Sequence, residues 1–328
     1  MIKAQFICPW YNQGKHKAVF PPWFNFYLLT CSHNPEFEWL FFSDSDEFPS
    51  LAPPNVTHYN ISKKEFSKLV LDHGQIDLPI SCIPNRLCDL RPAYGSIFSE
   101  FLNAPMWGHC DIDVFWGNLS SFVKDRYIDK FDILTSRGNC MSGHFSLFKN
   151  LKDNSFYYKS IPNFKKIIKK SVKKVQAFDM VYIRNLDEMA STLVYKQLEI
   201  EKKIKVLWSC GRSNYPWHII HFWNHLENFS KKPELKSIFA KHSLTKWEDC
   251  KDFHFYDSCA AGEWVEKWGE WEWEKGGVYL NDIEIMYFHF MNLKELYSSL
   301  DVWTNHSDLS EVLKLDHFRF NYEGVYVG

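Results

Sequence analysis

Two apolar runs, residues 3 to 8 and Phe37 to Phe42, bracket a segment, Trp23 to Cys31, that reads as a helix, and this order restricts the fold more than any other feature. The first run closes at Pro9 and enters a loop through Asn12, Gln13 and Gly14; the second closes in Ser43-Asp44-Ser45-Asp46. Strands separated by helices pack as a parallel sheet covered on its faces, with ligands gathered at the carboxyl ends of the strands. The alternation continues. Asn60 to His73 is amphipathic with Ser62 as its cap, and Leu90 to Leu102 is a second helical stretch leading into the strand before Asp111. Phe131 to Thr135 and His144 to Phe148 are further strands around the polar turn Ser136-Arg137-Gly138-Asn139. The predicted class is α/β, a mostly parallel, Rossmann-like sheet flanked by helices. Residues 1–150 form its core, and 151–328 are an elaboration that completes the same domain.

In that second half, Trp264 to Leu280 alternates and turns at Gly276-Gly277, which predicts a β-hairpin. Ile285 to Phe290 reads as a last strand whose His289 can face the site. Lys165 to Val175 sets Ile168, Val172 and Val175 on one helical stripe among lysines, a solvated helix or a contact with an anionic lipid surface or a lipid-linked diphosphate acceptor. His218 and His221 lack a third clustered ligand, which favours packing over metal binding.

Composition excludes some functions. Basic and acidic residues number 38 and 40, so there is no global field for nucleic acid, and any anionic ligand must be met locally. The nine cysteines include no Cys-x-x-Cys pair, which favours free thiols of a cytoplasmic protein. No apolar run reaches 18 residues, so the one route to a bilayer is peripheral, at the inner face of the membrane. Aromatic residues make up 18% of the chain; they either pack the core or line a cleft on which sugar rings stack.

The chemistry concentrates in Trp107-Gly108-His109-Cys110-Asp111-Ile112-Asp113-Val114-Phe115-Trp116-Gly117. Two carboxylates one residue apart lie on the same side of a strand end, among apolar neighbours. Desolvating them is costly unless a cation or several donors compensate. Hard cations such as Mn²⁺ and Mg²⁺ take such oxygen ligands and complete their shell with a diphosphate.

Taken with Asn34-Pro35, Trp39 to Asp44, Leu87-Cys88-Asp89-Leu90-Arg91-Pro92-Ala93-Tyr94-Gly95 and Gly143 to Asn150, this segment resembles a family of bacterial GT-A-type glycosyltransferases of surface polysaccharide synthesis. The resemblance covers residues 1–150 firmly and the rest loosely, through Ala177-Phe178-Asp179 and Tyr287 to Phe290. It implies a GT-A-like fold, a nucleotide-sugar donor, a divalent metal on Asp111 and Asp113, and a saccharide or lipid-linked acceptor. Arg91 corresponds to a basic residue that meets the donor, and Asp111 contacts the donor as well as the metal. Asp89 binds the nucleobase or ribose, or else caps the following helix. Asp44 stands where an acid contacts the nucleotide, while Asp46 fits a solvated turn better. His144 either donates to the donor sugar or packs at a strand start. His289 completes the metal shell or is a core residue. Asp179 is the candidate general base, although Met180 stands where the family pattern has a second acid.

The function expected from the resemblance is a metal-dependent transfer of a hexose-type sugar to a glycan or lipid-linked acceptor in capsule or lipopolysaccharide assembly. The alternative is a catalytically inactive, lectin-like protein on the same fold.

Overall fold

The computed structural model describes residues 1–136, 141–151, 154–161, 164–169, 186–208, 256–257, 271–280, 283–321 and 323–328. Its first strand is β1 (Ala4–Pro9), followed by a helix at Phe24–Ser32, β2 (Phe37–Ser43), β3 (Val56–Asn60) and a helix at Lys63–Asp72. That helix begins as its sequence predicts. The Ser62 side chain accepts from the Glu65 amide while Glu65 reaches back to the Ser62 amide, a reciprocal cap worth about 1 kcal/mol. Between Ile83 and Phe101, where one stretch from Leu90 was expected, the chain forms a helix at Ile83–Leu90 and then short turns at Arg91–Ala93, Tyr94–Ile97 and Ser99–Phe101. Pro92 lacks the amide hydrogen that would bond back to Cys88 in a continuous helix, so the regular ladder is broken there and the chain tightens into short turns.

Five more strands complete or adjoin the main layer: β4 (Met106–Cys110), β5 (Val114–Trp116), β6 (Ile133–Thr135), β7 (Phe145–Lys149) and β8 (Val206–Trp208). The seven-stranded sheet has the order β3-β2-β1-β4-β7-β6-β8. It is mostly parallel and flanked by helices; β7 alone runs against its neighbours β4 and β6. Successive side chains feed opposite faces. Ile7, Leu40, Phe42 and Trp107 pack on one side, and Phe6, Cys8, Trp39, Phe41 and Met106 on the other.

The remaining strands are β9 (Tyr256–Asp257), β10 (Trp271–Glu274), β11 (Gly277–Leu280), β12 (Ile283–Ile285), β13 (Tyr287–His289), β14 (His317–Phe320) and β15 (Val325–Tyr326). β10 and β11 form the predicted hairpin, but it turns through Lys275 and Gly276, at φ 45° and 90°, and not through the expected Gly276-Gly277: Gly277 already pairs with Glu274. Two successive positive φ values match the twist of a tight hairpin, and glycine takes one at no steric cost. The run Ile285 to Phe290 is split rather than one last strand. β12 joins a five-stranded sheet with β11, β10, β14 and β15, while β13 pairs with β5 and β9. Ile285, Met286, Tyr287 and Phe288 are all fully buried in succession, so alternation could not reveal the switch of partner.

The described aromatic rings mostly pack one another. Phe6 stacks on Trp39 and Trp116, Phe24 lies against Phe41, and Trp273 stacks on Phe318. Cys8, Cys31, Cys82, Cys88 and Cys110 are free thiols. Among the described residues no helix is long and apolar enough to cross a membrane. Of the basic segment Lys165 to Val175, the structure describes residues 165–169. Phe164 and Ile168 face the core, and Lys165 and Lys166 face solvent. Lys169 pairs with Asp77 at 2.9 Å.

Candidate metal centre

Asp111, Ile112 and Asp113 link the end of β4 in the large sheet to the start of β5 in the small one. Because β4 runs parallel to β1, and β1 to β2, the link lies at the carboxyl edge of these strands. Trp23 fixes it from below, its indole N–H donating to the Ile112 carbonyl at 2.9 Å. β13 lies antiparallel to β5 with His289 opposite Val114, and the Phe290 amide donates to the Asp113 carbonyl at 3.0 Å. That register carries a histidine from 176 positions further along the chain to the acid pair. One ligand atom from each of Asp111, Asp113 and His289 lies within 4.8 Å of the others, so the group could hold a metal ion. Two carboxylates and an imidazole are donors that fit a hard to borderline divalent cation.

Asp113 and His289 are almost fully buried, while a quarter of the Asp111 side chain is exposed, so the group opens on the Asp111 side. His289 Nε2 lies 3.6 Å from Asp111 Oδ2 and 3.4 Å from Asp113 Oδ2. Two cations already attend the carboxylates. Lys294, first residue of the helix Lys294–Ser298, sets its Nζ 2.6 Å from Asp113 Oδ2. Arg91 donates from Nη2 to Asp111 Oδ1 and from Nη1 to Asp187 Oδ2, the latter at 2.9 Å. Burial pushes the Asp113 pKa up, but His289 and then Lys294 outweigh it and bring it down to about 2.

Asp187 and Glu188 lie in a single π-helical segment, Leu186–Ala190, ahead of the helix Ser191–Ile200. Burial raises the Asp187 pKa to about 8, against the pull of Arg91. Glu188 accepts from the Gly143 amide at 3.1 Å, and the Thr192 hydroxyl accepts from the Met141 amide at 2.8 Å. Gly143 leaves room for all this: a Cβ there would stand 2.9 Å from both Arg91 Nη1 and Glu188 Oε1. The Gly143 carbonyl pairs with His109 Nδ1 at 3.0 Å, and burial lowers the His109 pKa to about 3.

The structure sorts the residues singled out in the sequence. Asp111, Asp113, His289 and Arg91 converge. His144 is buried just before β7 with its ring stacked on His289 at 4.3 Å and edge-on to Tyr287, the packed alternative. Asp89 is buried, 1% exposed, and accepts from Arg86 Nη1 at 2.7 Å, while Leu90 and not Asp89 precedes the next helical turn, which has no side-chain cap. Asp44 accepts from the Ala18 amide at 2.8 Å and lies 3.7 Å from Lys63, holding the loop after β1. Asp46 is exposed and pairs with Lys17. Asp179, His218 and His221 lie outside the described residues. Sequence reasoning missed Asp187, Glu188 and Lys294. The one available signal was the Asp187-Glu188 doublet itself, eight residues beyond Asp179.

Two further segments singled out in the sequence meet through Asn34. Its side chain donates to the Gly117 carbonyl at 2.9 Å and accepts from the Leu119 amide at 2.8 Å, tying the start of β2 to the turn after β5.

This is a mixed α/β protein with a candidate metal centre at the carboxyl edge of its parallel strands. Residues 6–306 match the "Family of unknown function (DUF6625)", and the chain belongs to that family. No curated protein matches it.

Proposed function

We propose that the chain is a metal-dependent glycosyltransferase that moves a hexose-type sugar from a nucleotide-diphosphate donor to a glycan or lipid-linked acceptor, in surface polysaccharide synthesis. The observation that carries this reading is the convergence of Asp111, Asp113 and His289 within 4.8 Å at the carboxyl edge of the parallel strands. Mn²⁺ or Mg²⁺ held there would neutralise the charge that develops on a departing diphosphate. Arg91, fixed between Asp111 and Asp187, adds permanent positive charge beside it. Glu188 is partly exposed beside Gly143 and is better placed than buried Asp187 to orient an acceptor hydroxyl or take its proton. A cytoplasmic location, peripheral at the membrane, suits such a reaction.

Arg91 and Lys294 already balance both acids, which favours a second reading: a sugar-binding protein without turnover. The test is a screen of nucleotide sugars for thermal stabilisation with and without Mn²⁺, followed by donor hydrolysis assays on the hits. Mn²⁺-dependent stabilisation with slow release of nucleoside diphosphate, abolished in Asp113→Ala, supports the enzyme. Glycan binding indifferent to Mn²⁺ and to Asp113→Ala sinks it in favour of the binding protein.

A further inference from the structure

We propose that the pocket walled by residues 20–25, 47–49 and 303–307 binds a neutral saccharide, a sugar unit of the acceptor glycan held apart from its reacting end. That the sugar belongs to an acceptor rests on the transferase reading above; that the pocket takes a sugar rests on its lining. The cavity measures about 370 Å³, within the range of about 300–1,000 Å³ usual for small-molecule sites.

Its walls are rigid before any ligand arrives. Pro21, Pro22 and Pro49 have a fixed backbone φ, and the Phe20 ring is held by Phe24, stacked at 4.1 Å, and by Phe48, edge-on at 5.4 Å. Asn25 joins the two sides. Its Nδ2 donates to the Ser307 carbonyl at 2.8 Å, which ties the helix Phe24–Ser32 to the segment after the helix Val302–Asn305. A preformed site loses little binding energy to ordering itself.

The polar lining defines the ligand. Asn25 Oδ1 and the exposed Glu47 carboxylate can only accept, whereas the exposed Thr304 and Ser307 hydroxyls both donate and accept. No lysine, arginine or histidine is among the described lining residues, so the one ionic group is a carboxylate and an anionic ligand is repelled. A wholly apolar ligand would cover these four groups without giving them partners. What fits is a molecule without negative charge that offers several hydroxyl donors and an apolar face for the prolines, and a sugar ring has both.

Position links the pocket to glycan transfer. Residues 20–25 follow the carboxyl end of β1 and residues 47–49 that of β2, so the pocket lies on the edge that carries Asp111 and Asp113. Trp23 stands between the two sites: its neighbours Pro22 and Phe24 line the pocket, while its own indole donates to the Ile112 carbonyl. A glycan anchored here has the candidate metal centre beyond Trp23 on the same edge.

The experiment is saturation-transfer NMR on the full chain, in chelator and then in Mn²⁺, without nucleotide. The neutral probes are the methyl glycosides of glucose, galactose, N-acetylglucosamine and rhamnose; methyl glucuronide and propylammonium are the charged ones. At least one neutral glycoside should bind, equally well with and without Mn²⁺, and methyl glucuronide should not. Glu47→Gln should weaken that glycoside by about tenfold, because it removes a charge-assisted acceptor. Thr304→Trp, a change at an exposed position that fills the cavity, should abolish binding. Failure of all four glycosides to bind, whether or not propylammonium does, overturns the proposal. So does binding that survives either substitution, or binding that requires Mn²⁺, which would put the sugar at the metal centre. Glycoside binding in the pocket without Mn²⁺-dependent binding of any nucleotide sugar sinks the transferase and leaves the saccharide site standing.

Discussion

Arg91 settles which oxygen Asp111 can offer. Its Nη2 donates to Oδ1, and Oδ2 is left facing His289 Nε2 at 3.6 Å. The guanidinium is itself held in place because Nη1 donates to Asp187 Oδ2 at 2.9 Å. A carboxylate clamped at one oxygen has lost most of its rotational freedom, which lowers the entropic cost of presenting the other to a cation.

Arg91→Gln should therefore weaken Mn²⁺ binding by about tenfold, because Asp111 loses the group that aims it. It also removes the donor to Asp187 Oδ2, a buried hydrogen bond whose loss should cost about 1–2 kcal/mol in stability. Calorimetric Mn²⁺ titration and urea unfolding measure the two effects. Native values in both would show that the clamp positions nothing.

Gly143 and Gly95 should respond in opposite ways to alanine. A Cβ at Gly143 meets the far ends of Arg91 and Glu188 at 2.9 Å, groups that can shift slightly. Gly143→Ala should thus cost about 1 kcal/mol in stability but loosen Mn²⁺ binding several-fold. A Cβ at Gly95 would fall on the Trp107 ring, which is packed against Phe148 and cannot yield. Gly95→Ala should lose about 3 kcal/mol with Mn²⁺ affinity per folded molecule unchanged. Thermal melts and Mn²⁺ titrations of the two variants make the comparison.

The legible parts of this fold and site are local in sequence. The β1–helix–β2 alternation, the Ser62 cap, the existence of the β10–β11 hairpin and the Asp111-Ile112-Asp113 link each follow from neighbouring residues. His289 is a metal candidate in the sequence only through the family resemblance; by its own neighbours it is a histidine on an aromatic strand, and its place beside Asp113 depends on the β5–β13 register, which no local pattern encodes. Asp187 escaped for a related reason. A buried acid next to an arginine is indistinguishable in sequence from a solvated one, and the doublet Asp187-Glu188 reads as an ordinary helix start. Lys294 reads as a surface lysine because most of its neighbours on that helix are exposed or half-buried. The ion pair of Asp89 with Arg86, three residues earlier, was not legible because it depends on burial of the Ile83–Leu90 helix.

His109 should make the metal-free protein sensitive to acid. Burial lowers its pKa from 6.5 to about 3, so between these values the unfolded chain takes up a proton that the folded chain refuses. The stabilising contribution is complete above pH 6.5 and is lost as pH falls toward 3, at a limiting slope of about 1.4 kcal/mol per pH unit. His109→Asn keeps an N–H donor for the Gly143 carbonyl but does not titrate. Urea unfolding in chelator at pH 7 and pH 4.5 should show the variant gaining about 2 kcal/mol on the native protein at the lower pH. An identical pH response in both would mean that His109 is charged when folded.

Asp187 should work in the other direction. Burial raises its pKa from 3.8 to about 8, so between these values the folded chain holds a proton that the unfolded chain has released. Its contribution is complete below pH 3.8 and is lost as pH rises through 8. Across the interval from 3.8 to 6.5 the two residues oppose each other, and the native protein should show a flatter profile than either single variant. Asp187→Asn keeps an acceptor for Arg91 and removes this titration, so its stability should rise with pH over that interval, the slope of His109 unmasked. His109→Asn should fall over the same interval, the slope of Asp187 unmasked. Unfolding free energies at pH 4, 5 and 6 for the three chains in chelator decide the matter. Parallel profiles would mean that the Arg91 guanidinium keeps Asp187 ionised and that burial does not dominate its protonation.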